Sequence, residues 1–236
     1  MIRGESNDLV PIFIFGSVGL GLMVMGYRRF RFKQWVEDLP TSRIATAAQG
    51  LIEVQGRATA FRGKVFSSHQ GLSAVYLRCQ IQEWRSGKNS RWETIHTSTQ
   101  GEEFLVTDSS GIAHVAVRGA YMVLNCETHE STSPGLMIER TALLGFSALS
   151  FGKRYRILEE KIVEGESVTV IGDFTTAKLD PEFKGSGGFR KSPMHPFLVS
   201  DSHQEALLKK LSFGLPIMIL GAALVAVSIW WFLNRR

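Results

Sequence analysis

Two long stretches of this chain carry no charge at all, Leu9–Tyr27 (19 residues) and Leu211–Leu233 (23 residues), and they constrain the fold more than any other feature. A helix rises about 1.5 Å per residue, so either stretch can cross a bilayer core of roughly 30 Å. A soluble protein is thereby excluded. Between the two lies Arg28–Lys210, 183 residues carrying 24 basic and 20 acidic side chains, a density that belongs to a water-exposed domain. The whole chain is 236 residues long with a formal charge of +5, which suits one domain or two small ones and not a large multidomain enzyme.

The first stretch has Arg3, Glu5 and Asp8 before it and RRFRFK at 28–33 after it, the reverse of a cleaved leader with its basic front and small-residue exit. It is expected to remain as a helix, with Asp8 as its cap and Pro11 tolerated near its start. The second stretch ends in Trp230 and Trp231, at the depth where aromatic side chains favour the headgroups, and carries Pro216 near its entry. Ser17/Gly21 and Ala222/Ala226 are small residues four apart, the spacing that lets another helix, of this chain or of a second copy, approach closely. The bland alternative is that glycine and alanine are common in membrane helices. Neither stretch contains an ionisable residue, which argues against a proton relay or ion path.

Between the spans the pattern has period two. The expected layout is a transmembrane helix at 9–27, a juxtamembrane helix at 28–40, a β-rich domain at 41–200, a linker helix at 201–210 opened by Ser202 and Glu205 as a capping box, and a transmembrane helix at 211–233. Strands are predicted over 51–60, 72–85, 91–99, 104–107, 112–117 and 168–177, with a further short one at 121–126. The 72–84 and 91–99 strands form an antiparallel hairpin about SGKNS, and Asp108, Ser109, Ser110 and Gly111 make the turn of a second, with Gly111 supplying the turn conformation. The stretch from Leu136 to Ile162 is ambiguous, with Arg154–Ile162 readable as a short helix. Leu179–Pro193 reads as a loop, and MHPFLVS at 194–200 as an edge-like strand kept short by its prolines. IEVQGRA near residue 52 and VTVIGDF near residue 168 resemble each other, as a duplicated unit or as chance similarity between two bulged strands. Together these features predict a membrane-anchored, mainly β protein: an antiparallel β-barrel-like domain between two transmembrane helices.

Candidate chemistry is sparse. The chain has no P-loop, nucleotide fingerprint, nucleophile elbow or H-E-x-x-H, and GSGG at 185–188 lacks the strand, helix and lysine that a phosphate site needs. The histidines His69, His96, His114, His129, His195 and His203 are scattered singly. His96 and His114 fall in strands that could pair, and His129 with Glu127, Glu130 and Cys126 is the nearest approach to a metal set. Ordinary surface or strand-face roles fit all of them better. Cys79 and Cys126 are read as buried free thiols, with a disulfide as the alternative. No catalytic, cofactor-binding or metal residue is therefore assigned. Basic and acidic residues alternate through the domain without a stripe for nucleic acid, and RRFRFK suits anionic lipid.

The pieces TSRIATAAQGLIEVQGRA at 41–58, VYLRCQIQEW at 75–84, RWETIHTST at 91–99, FLVTDSSGIAHV at 104–115, YRILEEKIVEGESVTVIGDF at 155–174 and PFLVSDSHQEALLKKL at 196–211 occur in an order that resembles the GIDE-type family. That family includes a mitochondrial RING ubiquitin/SUMO ligase with two spans and a domain lying beside the membrane. The resemblance implies a membrane-adjacent domain that binds or organises partner proteins. It also implies a RING after the second span, where this sequence offers only Asn234, Arg235 and Arg236 and no zinc ligand. The expected function is thus a membrane-anchored interaction or organising module without catalytic activity of its own. A ubiquitin-ligase-like or hydrolase subunit and a channel or transporter component are the alternatives. Orientation is read two ways: Arg28, Arg29, Arg31 and Lys33 against Arg3 place the domain in the cytoplasm, whereas the resemblance implies the exterior side.

Overall fold

A computed structural model of the chain describes residues 5–131, 153–177, 180–201 and 214–234. They fall into two compact units, Met1–Leu39 with Gln204–Arg236, and Pro40–His203.

The first unit is a pair of helices, α1 (Glu5–Glu37) and α2 (Gly214–Leu233), each long and apolar enough to cross a membrane. Their large apolar side chains point outward, Phe13 at 72% and Trp230 at 66% exposure, as lipid-facing residues must. The chain is a two-span membrane protein. Asp8 lies inside α1, so it does not cap it as expected. The helices run antiparallel and meet through glycine. A Cβ on Gly26 would stand 2.6 Å from the Met218 nitrogen, one on Gly221 2.6 Å from the Met23 nitrogen, and one on Gly214 2.7 Å from the Phe30 nitrogen. Ser228 closes the far end by donating its hydroxyl to the Ile12 carbonyl at 2.9 Å. Backbones this close gain dispersion contacts that water-driven burial cannot supply in lipid. The pairs singled out from spacing do not serve this contact: Ser17, Ala222 and Ala226 are exposed, and a Cβ on Gly21 would meet nothing within 4 Å.

The second unit is mainly β. Strands β1 (Gly50–Thr59), β5 (Glu103–Thr107), β6 (Ile112–Ala116), β11 (Gly187–Arg190) and β10 (Ser167–Thr175) close into a five-stranded ring, because β1 pairs with both β5 and β10. Four seams are antiparallel and the β6–β11 seam is parallel, so the barrel is mixed. From β10 the sheet extends through β12 (Leu198–Ser200) to β7 (Tyr121–Val123). The 198–200 strand is therefore interior, not an edge, flanked by β10 and by parallel β7. Val54, Phe104, Val106, Val115, Val170 and Phe189 are fully buried in the barrel core, each contributing roughly 1.5–3 kcal/mol by leaving water.

The two similar phrases are each other's partners. β1 pairs antiparallel with β10 so that Ile52 faces Gly172, Val54 faces Val170 and Gly56 faces Val168, a local two-fold about the central valine pair. The pairing runs residue for residue without a bulge. Each glycine instead admits a crossing neighbour. A Cβ on Gly56 would lie 2.6 Å from the Thr107 carbonyl oxygen, and one on Gly172 would lie 2.7 Å from the Phe197 ring.

A second sheet runs β8 (Cys126–Ser131), β9 (Tyr155–Val163), β3 (Ser73–Arg85), with the short β2 (Phe66–Ser67) and the ten-residue β4 (Arg91–Gln100) sharing the other side of β3. The β3–β4 and β5–β6 hairpins match expectation. Two expectations fail. Arg154–Ile162 is not helical: its length forms β9, whose inward positions carry Glu159 and Lys161 beside Ile157, so the polar residues hide the alternation. Leu179–Pro193 is not all loop, since β11 lies within it and completes the barrel. The 201–210 linker helix falls outside the described residues except for Asp201.

Candidate functional site

Asp108 begins the turn between β5 and β6, and its carboxylate gathers four donors. Oδ1 accepts from the Ser110 N–H at 2.6 Å, the Ser110 hydroxyl at 2.7 Å and the Gly111 N–H at 2.8 Å, while Oδ2 accepts from the Ile44 N–H at 2.9 Å. The Ser110 hydroxyl oxygen in turn accepts from the Ala45 N–H at 3.0 Å. Burial alone would push this carboxyl upward, but the four donors outweigh it and hold it below the usual carboxylate range. The turn thus clasps the 3-10 segment Ile44–Thr46, which lies 64 residues earlier, at Ile44. Gly111 does not adopt a left-handed conformation as expected. Its constraint is space: a Cβ there would meet the Ser186 hydroxyl at 2.9 Å and the Ile44 side chain at 3.2 Å.

Beside the clasp lies an open notch of about 650 Å³, lined by Gln55, Gly56, Arg57, Thr59, Thr107, Asp108, Ser109 and Ser167. Hydroxyls, one guanidinium and one carboxylate supply its polar groups. Among the described residues its hydroxyls have no activating partner. The Asp108 carboxylate is already saturated by N–H and O–H donors, and Arg57 donates to the Gly165 carbonyl at 3.0 Å. The notch has the chemistry of a surface that binds polar groups, not of a nucleophilic centre.

His96 and His114 are kept apart. His114 sits on β6 with its Nε2 2.9 Å from Glu103 and its ring 4.6 Å from Phe61 and 5.7 Å from Phe183, whereas His96 lies on β4 in the other sheet, so the two do not pair. On β8, side chains alternate: Glu127 and His129 point to one face, Cys126 and Glu130 to the other. The metal set read from the sequence is therefore split across the sheet. Lys161 at 2.7 Å is the main influence holding the Glu127 carboxyl below its ordinary value. His129 stands 3.4 Å from Glu127 and 3.9 Å from the fully buried Glu159, and its ring lies 4.7 Å from that of His69. Among the described residues, no three His, Cys, Asp or Glu side chains are placed to hold a metal ion. Nothing in the sequence links His69 to Glu159; 3.2 Å bonds from the His69 N–H to both Glu159 oxygens, across 90 residues, bring them together.

Both cysteines are free. Cys79 is buried as expected, and burial, then the Glu159 charge, push its thiol up to about 12. Cys126 is exposed, contrary to expectation. The two stand on opposite faces with β9 between them, and two strand spacings of about 4.8 Å exceed the reach of a disulfide. GSGG at 185–188 runs into β11, where Gly188 pairs with Thr175 and with His114, so these glycines let strands close and cradle no phosphate.

The model of the GIDE family, described as E3 Ubiquitin ligase, matches residues 76–232, more than half of the chain, from inside β3 through the second span. No curated protein matches the chain. No solved structure matches it.

Proposed function

The chain belongs to the GIDE family, and from that premise we propose that it is a membrane-anchored module that binds and organises other proteins, with no catalytic activity of its own. The observation that carries this reading is the content of the matched region itself, whose described residues belong to the β domain and the second membrane helix. Among its described residues, Asp108, Glu103, Glu127 and Lys161 are engaged in clasps and cross-strand pairs. Asp108, the carboxylate of the notch, is committed to holding Ile44, and among the described residues its hydroxyl neighbours lack a base. Cys79 is protonated at physiological pH and cannot serve as a nucleophile. The open Ser17/Gly21 and Ala222/Ala226 faces support docking of a further helix, from a partner or a second copy. The four basic residues Arg28, Arg29, Arg31 and Lys33 that follow the first span favour a cytoplasmic domain.

The family description favours a second reading, a ligase acting at the membrane. The two are separated by incubating the full chain in nanodiscs with ubiquitin, activating enzyme, ATP and a panel of thioester-charged conjugating enzymes. The module reading expects discharge no faster than from empty nanodiscs. Accelerated discharge that a zinc chelator abolishes would establish the ligase.

A further inference from the structure

The far end of the second sheet carries an unusual concentration of tryptophan and arginine. Trp84 on β3 and Trp92 on β4 face each other in register, their rings 5.2 Å apart edge to face. Arg156 lies 4.5 Å from the Trp92 ring centre, and Arg154 lies 5.9 Å from Trp84 and 6.0 Å from Trp92. Stacked this way, a guanidinium satisfies its face on the ring and keeps N–H groups at its edge for an anion. Arg156 spends its Nε on Gln82 at 2.7 Å, and among the described residues Arg154 reaches only the half-exposed Glu130, at 3.9 Å.

Among the described residues the charge around this cluster is unbalanced. Arg85, Lys88, Arg91, Lys153, Arg154 and Arg156 are gathered against Glu83, Glu93 and Glu130. Glu83 and Glu93 are both consumed by Arg85, and Glu83 also by Lys153. The surplus is thus on Lys88, Arg91, Arg154 and Arg156, at the tip.

Next to that surplus runs an open strand edge. Among the described residues β4 pairs only with β3, over its full ten-residue length. Every second residue of such a strand aims its N–H and C=O outward, ready to bond another chain. Edges of this length are normally guarded by lysine or proline. Arg91–Gln100 contains neither, and its one irregularity is the bulge at Ile95, where the register shifts between Ile81 and Gln82. Arg91, Glu93, Thr94, Thr97 and Thr99 along it are exposed.

Resting on the interaction-module reading, we propose that the β4 edge with its Trp84, Trp92, Arg154 and Arg156 face is the docking surface for an acidic, extended segment of a partner protein. The segment adds as a strand beside β4 through backbone bonds, and its carboxylates meet the stacked guanidiniums and Arg91. The backbone supplies affinity, and the charge fixes which segments are accepted. An anionic lipid surface shares the charge but has no strand to offer the open edge, so the edge favours the peptide.

The test uses the full chain in nanodiscs of zwitterionic lipid and fluorescent octapeptides: alternating Glu and Val, the same with a central proline, and alternating Lys and Val. The acidic peptide is expected to bind, at least about tenfold more weakly at high salt. Proline should weaken it by a similar factor, and the Lys peptide should not bind. R154E/R156E and, on the exposed turn and strand start where folding is not at stake, K88E/R91E should each reduce acidic-peptide binding by about tenfold or more. Equal binding of the Lys peptide, indifference to the proline, or unchanged binding by both variants would overturn the proposal. So would binding of phosphatidylserine vesicles, but not of the acidic peptide, lost in the same variants. With a benzophenone side chain at Thr97 in native membranes, discrete protein adducts that persist in R154E/R156E would overturn this surface while leaving the module reading intact.

Discussion

Replacing Asp108 by asparagine separates the two jobs of its carboxylate. The amide keeps one oxygen for the Ser110 and Gly111 donors, but on the other side it turns an NH2 group toward the Ile44 N–H, where an acceptor stood at 2.9 Å. Ile44 is 1% exposed, so its N–H finds no ready substitute in water. A hydrogen bond to a charged acceptor contributes about 1.5–3 kcal/mol, and a loss near 2 kcal/mol corresponds to an opening equilibrium about 30-fold larger. Hydrogen exchange on the full chain in nanodiscs, read on a peptide covering 43–49, should accelerate by about that factor in D108N, while a peptide covering 51–58 stays protected. The pH dependence carries its own sign. Because the folded carboxyl sits below its unfolded value of about 3.9, the clasp contributes in full above that value and is lost as pH falls through the folded one. Protection at Ile44 should therefore be flat from neutral pH down to about 5 and fail below about 4. Unchanged exchange in D108N, or acceleration spread evenly over the barrel, would refute the clasp.

Glu53 runs the opposite way. It is fully buried, both the Thr41 hydroxyl and the Gln55 amide donate to Oε1 at 3.0 Å, Oε2 has no hydrogen-bond partner among the described residues, and burial raises its pKa against those two bonds. Stability should thus be complete below the unfolded value of about 4.3 and fall as pH rises through the folded one, and E53Q should raise the neutral-pH melting temperature and flatten this slope. G221L should split the α1–α2 pair, seen as loss of a disulfide engineered between facing helix positions, whereas G21L on the open face should leave it intact. With its thiol pushed up to about 12, Cys79 should resist maleimide at pH 8 in the folded protein while exposed Cys126 reacts.

The sequence reveals what is periodic and hides what is not. The spans stand out because charge is excluded from them, and β1 and β10 because IEVQG and VTVIG carry inward β-branched residues at alternate positions. β9 escapes because Glu159 and Lys161 occupy inward positions, where alternation normally places apolar residues. β11 escapes because Gly187 and Gly188 have low strand propensity, yet the barrel can close only where Cβ atoms are missing. Small-residue spacing marks helix faces without saying which one is used: Gly19, Gly26, Gly214 and Gly221 form the contact, and Ser17/Gly21 does not. The clasp is half legible, since Asp-Ser-Ser-Gly announces a turn but nothing in it announces Ile44. The Trp84–Trp92 pair is implied by the β3–β4 register, but the arginines on it come from β9, the strand that the pattern conceals.

The central claim is that the β domain holds other proteins at the membrane. Photo-crosslinking in native membranes tests it most directly, with a benzophenone side chain placed in turn at exposed positions of the domain, among them Thr97 on β4 and Ser109 at the notch, and on the outward face of α1 at Leu20. The account predicts discrete protein adducts from at least one domain face, the same in size from cell to cell and lost when that face is altered. Adducts to lipid alone from every position, with no protein captured from any face of the domain, would contradict it.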